Sequence, residues 1–574
     1  MKLFNRICYW ICLLSMFCFT IIYSNTGPIV DYQARVHPVV GRSGMVATQE
    51  ALASQVGYDV LKKGGNAIDA AVAVGFALAV TLPRAGNLGG GGFMLVHIAS
   101  ENRVLALDYR EKAPLIASKN MYLNDDGTVD EQRSKFHIWS TGVPGTVFGL
   151  VTAWEKYGSL PLQVIVDPAI RLAEEGIDVS YDLAVSLQRV KSRLSQESQS
   201  VFLKSDGTFY NVGDRLVQPD LAWSLKQIAQ NGKESFYNGQ IADKIVGFMQ
   251  KNSGLITSAD LQRYSAVWRQ PVSGNYHGDI IYAMPPPSSG GVHLIQMLNV
   301  LESFPLYNMG HNSAQYINHL AEAMKVAYAD RSQYLGDPDF VTVPVAKLTS
   351  KAYGNQIAQT ISKNLVRPSS QVLPGEHFHE DESFETTHYS IVDPWGNAVA
   401  NTYTLNFSYG NGLMVPGTGI LLNNQMDDFS VKAGIPNAYG LLGGQKNSIS
   451  PEKRMLSSMT PTFVFRNGEL FLLTGSPGGS RIITMVLQQL LNCLTFNMNI
   501  ADATMRPKIH HQWFPDQLFL EQGISQDTTL KLIKLGYETQ TSPAVGSLQS
   551  IMRMNGYLYG FSDLRKPGAL TVGW

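Results

Sequence analysis

The sequence predicts a mixed α/β protein made of buried helices and mainly antiparallel strands. Three observations predict it. Four long stretches read as helices, namely Gln49 to Lys63, Ala67 to Val80, Ala314 to Tyr334 and Arg481 to Leu494. Three pairs of β-branched and aromatic runs are each joined by a short turn, which makes them antiparallel hairpins. The 574 residues are 44% hydrophobic and 16% charged, enough for a large core and too apolar for a disordered chain.

In chain order, Lys2 and Arg6 precede an almost wholly apolar run, Ile7 to Tyr23, which Ser24-Asn25-Thr26-Gly27-Pro28 interrupts. This reads as a secretory signal peptide over residues 1–24. One competing reading is a short membrane anchor, since no small-x-small cleavage site is visible and the run is at the short limit for a spanning helix. Another is a lipid anchor at Cys18, against which stands the bulky Phe17 before it. Cys8, Cys12 and Cys18 fall in this segment, so the exported chain keeps only Cys493, in an apolar run where a lone thiol acts as a small core hydrophobe.

The helix from Gln49 stops at Gly64-Gly65, and Asn66 caps the next one, whose apolar circumference predicts burial. Phe93 to Ile98 and Val104 to Tyr109 are strands around a Ser100-Glu101-Asn102 turn. A helical stretch spans roughly Thr146 to Gln250, broken at Gly158-Ser159 and Asp206-Gly207. Leu365 to Glu385 differs from its surroundings: two prolines and the acidic residues Glu376, Glu380, Asp381, Glu382 and Glu385 predict a solvated connector. Thr387 to Val392 then forms a strand, Pro394-Trp395-Gly396-Asn397 a turn, and Ala398 to Asn406 the return, which brings Thr404 and Asn406 back beside Thr386. Thr462 to Phe465 and Leu470 to Thr474 pair around Asn467-Gly468. Between that hairpin and the last long helix lies Gly475-Ser476-Pro477-Gly478-Gly479-Ser480. There Gly478 and Gly479 let backbone N–H groups approach a reacting carbonyl, next to the positive end of a helix. The competing reading is a plain strand-to-helix turn.

A net charge of −1 argues against nucleic acid or an anionic membrane as the main partner and leaves a small molecule. Six blocks identify a family resemblance: Asp108-Tyr109-Arg110-Glu111, Met284-Pro285-Pro286-Pro287-Ser288-Ser289-Gly290-Gly291, Thr386-Thr387-His388-Tyr389-Ser390, Leu422-Asn423-Asn424-Gln425-Met426-Asp427-Asp428-Phe429, Leu456-Ser457-Ser458-Met459 and Gly475-Ser476-Pro477-Gly478-Gly479. In this order, over residue 35 to the end, the chain resembles bacterial periplasmic γ-glutamyltranspeptidases. The resemblance implies the four-layer αββα sandwich of N-terminal-nucleophile hydrolases. It also implies a precursor cut between Glu385 and Thr386 into a large (25–385) and a small (386–574) subunit that stay together as one intertwined heterodimer in the periplasm.

The chemistry agrees with that cut. A mid-chain threonine hydroxyl is a poor nucleophile, whereas an N-terminal one has its own α-amine as base, titrating near ~7.7–8.0. Thr386 is therefore expected to cleave its own precursor and then to catalyse. The family gives Thr404 an activating role, and its donor-site residues match Arg110, Ser457 and Ser458 for a carboxylate, and Asp428, Asn406 and Gln425 for an ammonium. Arg110 has a competing reading as a structural ion pair with Asp108 and Glu111. Lys432 to Gln445 is Gly-rich and suits a lid, with Tyr439 as the family's aromatic gate. The implied substrates are glutathione and other γ-glutamyl compounds, with water, amino acids or dipeptides as acceptors, and no cofactor.

Other signals are weaker. Gly86 to Gly92 lacks the Lys-Ser/Thr of a phosphate loop and reads as close backbone packing. His377-Phe378-His379 and His510-His511 lack a full metal-ligand spacing, His388 reads as structural, and no Gly-x-Ser-x-Gly elbow occurs. Two rival functions remain at this level: a glutaryl-type β-lactam acylase of the same fold, and a secreted non-catalytic binding protein.

Overall fold

Fourteen strands carry the site. In the computed structural model, which describes residues 35–372 and 385–574, they are β1 (Val39–Gly41), β2 (Met45–Thr48), β3 (Gly91–Ile98), β4 (Arg103–Tyr109), β5 (Val267–Arg269), β6 (Val272–Tyr276), β7 (Asp279–Ala283), β8 (Thr387–Val392), β9 (Ala398–Thr404), β10 (Thr462–Arg466), β11 (Glu469–Gly475), β12 (Gln549–Met554), β13 (Tyr557–Ser562) and β14 (Leu570–Gly573). They form two seven-stranded sheets, ordered β14-β2-β8-β9-β3-β4-β5 and β1-β13-β12-β11-β10-β7-β6. Every neighbouring pair is antiparallel. The signal-peptide reading, His377, His379 and most of the acidic connector lie outside the described residues.

Side-chain alternation explains the layering. Along β2, Val46 joins a core with helices, while its neighbours Met45 and Ala47 join the core toward the second sheet. Along β3, Met94 and Val96 take the first side, Phe93 and Leu95 the second. A strand apolar on both faces needs cover on both. Helices α1 (Ala51–Lys62), α2 (Ala67–Thr81) and α3 (Thr146–Tyr157) pack on the outer face of the first sheet. Helices α4 (Gly290–Leu301) and α6 (Ile482–Leu494) cover the second sheet, and α5 (Ala314–Tyr334) packs on α4. The result is α-β-β-α, the predicted sandwich.

Local signals held closely. Asn66 accepts from the N–H groups of Ile68 and Asp69 while its own N–H donates to Asp69, a full capping box. Asn467 and Gly468 both have positive φ (53° and 81°), as a two-residue hairpin turn requires. The helical stretch after Thr146 differs from its reading: it is a series of shorter helices, interrupted by a strand pair, Ile177–Asp178 with Arg215–Leu216. Strands from both sides of Thr386 share both sheets, with β8 and β9 lying between β2 and β3.

The sheets meet at Gly475, where an added Cβ would sit 2.3 Å from the His388 ring. That ring is fully buried, bonds Thr402 Oγ1 (2.8 Å) and Ser390 Oγ (3.1 Å), and is pushed down to about 3 by burial, so it is neutral packing. Gly475→Ala is expected to force the sheets apart and cost about 3 kcal/mol of stability, measured as a lower denaturation midpoint.

Candidate active site

The β8–β9 hairpin sets the centre of the site. Its register pairs Thr387 with Tyr403, which places Thr404 beside Thr386. The Thr386 hydroxyl lies 2.8 Å from the Glu385 carbonyl oxygen and 3.3 Å from Thr404 Oγ1. Thr404 Oγ1 donates to the same carbonyl at 3.0 Å and accepts the Asn406 N–H at 2.9 Å. One carbonyl thus has two hydroxyls on it, both buried. Gly90 makes room for this end of β9: a Cβ there would lie 2.0 Å from the Thr404 carbonyl oxygen. The glycine run packs backbone on backbone, as its sequence suggested.

Strand β4 delivers the next group. Asp108 takes the Arg110 N–H at 3.0 Å, the Arg269 guanidinium at 2.8 Å and Arg454 at 3.4 Å, which pins the strand end. Arg110, almost fully buried, directs its guanidinium to Asp428, with Glu111 at 3.5 Å and the Met455 carbonyl at 3.3 Å. Its main ionic partner is therefore Asp428, more than 300 residues away, with Glu111 the lesser one; Asp108 holds only its backbone. Glu111 is pushed up to about 7 by burial, and neither of its carboxylate oxygens has a hydrogen-bond partner.

Asp428 closes a 3-10 turn, Gln425–Asp428, and accepts from Gln425 Nε2 at 2.8 Å. The other amide atom, Gln425 Oε1, is buried without a partner. Asn406, held at φ 77°, donates its Nδ2 to the Asn424 carbonyl. Its Oδ1 accepts the Tyr439 hydroxyl at 2.5 Å, so the Tyr439 ring lies folded onto the site. Ser289 donates both its N–H (2.8 Å) and its hydroxyl (2.7 Å) to the Ser457 carbonyl, which explains the block at 284–291 as a cradle for Ser457-Ser458. Gly478 (φ 137°) and Gly479 (φ 55°) lead into a 3-10 turn and then α6.

One cavity gathers these groups: Arg110, Thr386, Thr404, Asn406, Gln425, Asp428, Tyr439, Ser457, Ser458 and Gly479 all line it. Gly478 sits one residue behind the wall, and the Glu385 carboxylate, though not its carbonyl, is held outside the cavity by Arg84. The sequence reading missed Arg331, from α5, which also lines the cavity. Its Nε donates to Ser289 Oγ (3.1 Å) and its Nη2 to Ser458 Oγ (3.4 Å), and burial pulls it down to about 10. In sequence it is one cation near a helix C-terminus, an ordinary place for one. Among the described residues no group of three or more His, Cys, Asp and Glu is arranged to hold a metal, and no helix is long and apolar enough to cross a membrane.

An α-β-β-α sandwich with a threonine leading into a central strand, a second hydroxyl on the returning strand and a glycine turn at the cavity defines an N-terminal-nucleophile hydrolase. The solved structure of cephalosporin acylase from Bacillus halodurans matches with a TM-score of 0.83 at 27% identity, covering 95% of this chain and 98% of that one. A chain of γ-glutamyltranspeptidase from Helicobacter pylori is 49% identical, covering 57% of this chain and 95% of that one, with a TM-score of 0.56. The glutathione hydrolase proenzyme of Escherichia coli K12 is 51% identical, with 98% of both chains covered. The acylase ACY 1 proenzyme of Pseudomonas sp. V22 is 35% identical, covering 94% and 95%. The family model for γ-glutamyltranspeptidase matches residues 53–573. This chain belongs to the γ-glutamyltranspeptidase family.

Proposed function

We propose that the chain is a self-processing γ-glutamyltransferase and glutathione hydrolase. The observation that carries this is the Arg110–Asp428 ion pair on the wall of the Thr386 cavity. An α-amino acid head group matches such a pair with its own two charges. The carboxylate takes Arg110 with the Ser457 and Ser458 hydroxyls, and the ammonium takes Asp428 with the Gln425 and Asn406 carbonyls. The unpartnered Gln425 Oε1 is an acceptor of the needed kind.

Processing comes first. Thr386 Oγ attacks the Glu385 carbonyl carbon, polarised by Thr404, and the hydroxyl proton passes to the Thr386 nitrogen as the C–N bond breaks. Water hydrolyses the resulting ester, leaving a Glu385 carboxylate and a free Thr386 amine. In turnover that amine takes the hydroxyl proton while Oγ attacks the γ-glutamyl carbonyl, and it then passes the proton to the leaving amine, cysteinylglycine when glutathione is the donor. The Gly478 and Gly479 N–H groups receive the oxyanion. Water, an amino acid or a dipeptide then accepts the γ-glutamyl group, with ping-pong kinetics and no cofactor. Residues 25–385 and 386–574 remain associated because each supplies strands to both sheets, and residues 1–24 direct the chain to the periplasm. N-terminal sequencing of purified protein tests the cut: a fragment beginning at Thr386 supports it, and a single intact chain favours the non-catalytic binding protein instead.

The acylase reading has support in the acylase relatives. A glutaryl side chain carries a carboxylate and no ammonium, so it has no use for Asp428 and Gln425. Asp428→Asn is expected to lower kcat/KM on a γ-glutamyl anilide about tenfold and to leave glutaryl anilide hydrolysis no slower. Equal losses on both would remove the argument for the glutamyl donor.

A further inference from the structure

Arg84 is a buried cation that the donor pocket does not use. It lies in the turn after α2, its backbone carbonyl accepts the Tyr409 N–H at 3.0 Å, and it does not line the cavity. Its Nε is 2.6 Å from Asp182 of the helix Tyr181–Val190, and its Nη1 is bonded to the Glu385 carboxylate. The same helix holds Tyr409 through a 2.8 Å hydrogen bond between Ser186 Oγ and the tyrosine hydroxyl. Arg84 therefore sits in a frame made by three segments, and Glu385 is gripped at both of its polar groups. Its carboxylate is on Arg84, and its carbonyl is under the Thr386 and Thr404 hydroxyls.

We propose that Arg84 is a positioning residue for self-cleavage, which uses the Glu385 side chain to hold the scissile carbonyl against its two hydroxyls. This rests on the self-cleavage reading above. A residue preceding the nucleophile rotates about its own backbone bonds unless something outside the peptide restrains it. Holding the reacting carbonyl in a near-attack arrangement needs such a restraint. The carboxylate that supplies it belongs to the part of the chain that the reaction detaches from Thr386. Asp182 has a second function in this scheme: it stays with Arg84 after the cut, so the guanidinium keeps a counter-charge in the mature enzyme. The pair thus acts once per molecule, on maturation, and not on glutamyl transfer.

The test follows freshly made full-length precursor by electrophoresis as the 386–574 fragment appears. Glu385→Gln and Arg84→Met are each expected to slow maturation roughly ten- to hundredfold, and the double variant is expected to be no slower than Arg84→Met alone. Turnover of γ-glutamyl anilide per free Thr386 amino terminus is expected to stay at the wild-type value in Glu385→Gln. Glu385→Gln alone keeps the test valid if Arg84→Met misfolds, because the Glu385 side chain is 24% exposed and the change is nearly isosteric. Maturation of Glu385→Gln at the wild-type rate, or a double variant whose defect is the product of the two single ones, overturns the proposal. If the wild-type chain itself does not split before Thr386, the self-cleavage reading fails. If it splits and both single variants keep pace, only the role of Arg84 fails.

Discussion

Thr386→Ala is expected to leave one uncut chain with no measurable γ-glutamyl transfer. Both losses have one cause. In the proposed mechanism the hydroxyl 2.8 Å from the Glu385 carbonyl is the group that attacks it, and no other hydroxyl belongs to the residue whose amine would be released. Thr404 is near the same carbonyl at 3.0 Å, but its hydroxyl oxygen is engaged by the Asn406 N–H and an attack from it would free no amine at its own residue. Electrophoresis should show no small fragment, and anilide turnover should fall by at least about 10⁴-fold, the scale seen when a nucleophile is deleted. Thr386→Ser keeps both hydroxyl and amine and is expected to mature. A Thr386→Ala protein that still divides at this bond would show that another group performs the cut.

Arg110→Lys is expected to lower kcat/KM on a γ-glutamyl anilide about 100-fold, corresponding to about 3 kcal/mol. Charge is retained, so simple Coulomb attraction does not predict so large a loss. Geometry does. The planar guanidinium reaches Asp428, Glu111 and the Met455 carbonyl at once, and an ammonium on a shorter stem satisfies at most part of that set. What remains is a buried Glu111, already pushed up to about 7 by burial, and an Asp428 with a weaker partner. The loss should fall mainly on KM, since the donor's α-carboxylate lies away from the bond being broken. A thermal melt of the same variant separates lost binding from lost fold. An unchanged kcat/KM would return Arg110 to the role of a structural ion pair.

The candidate site was unusually legible in part. Thr386, Thr404 and Asn406 are close in sequence, and a hairpin of fixed turn length brings them together without help from the rest of the chain. Arg110, Gln425, Asp428 and the Ser457-Ser458 pair come from distant segments, and the family resemblance, not any local rule, placed them in one list. The structure adds that they line one cavity, and that Arg110 and Asp428 are each other's partners. Arg331 and Arg84 had no signal at all. Each is a lone basic residue in a helix or turn, and its importance depends on what the fold brings to it: two serine hydroxyls for one, the Glu385 carboxylate for the other.

Local order came from the sequence itself. The Asn66 cap, the Asn467-Gly468 turn, the β8–β9 hairpin and the buried helices α2, α5 and α6 each follow from residues within a few positions of one another. That is the range over which backbone sterics and side-chain capping act. Which strands share a sheet, that segments on both sides of Thr386 interleave, and which charges meet across the cavity were decided by tertiary packing. The reason is that β2 and β3 are apolar on both faces: such strands have to be covered twice, and only the assembled layers determine which distant segments provide the cover.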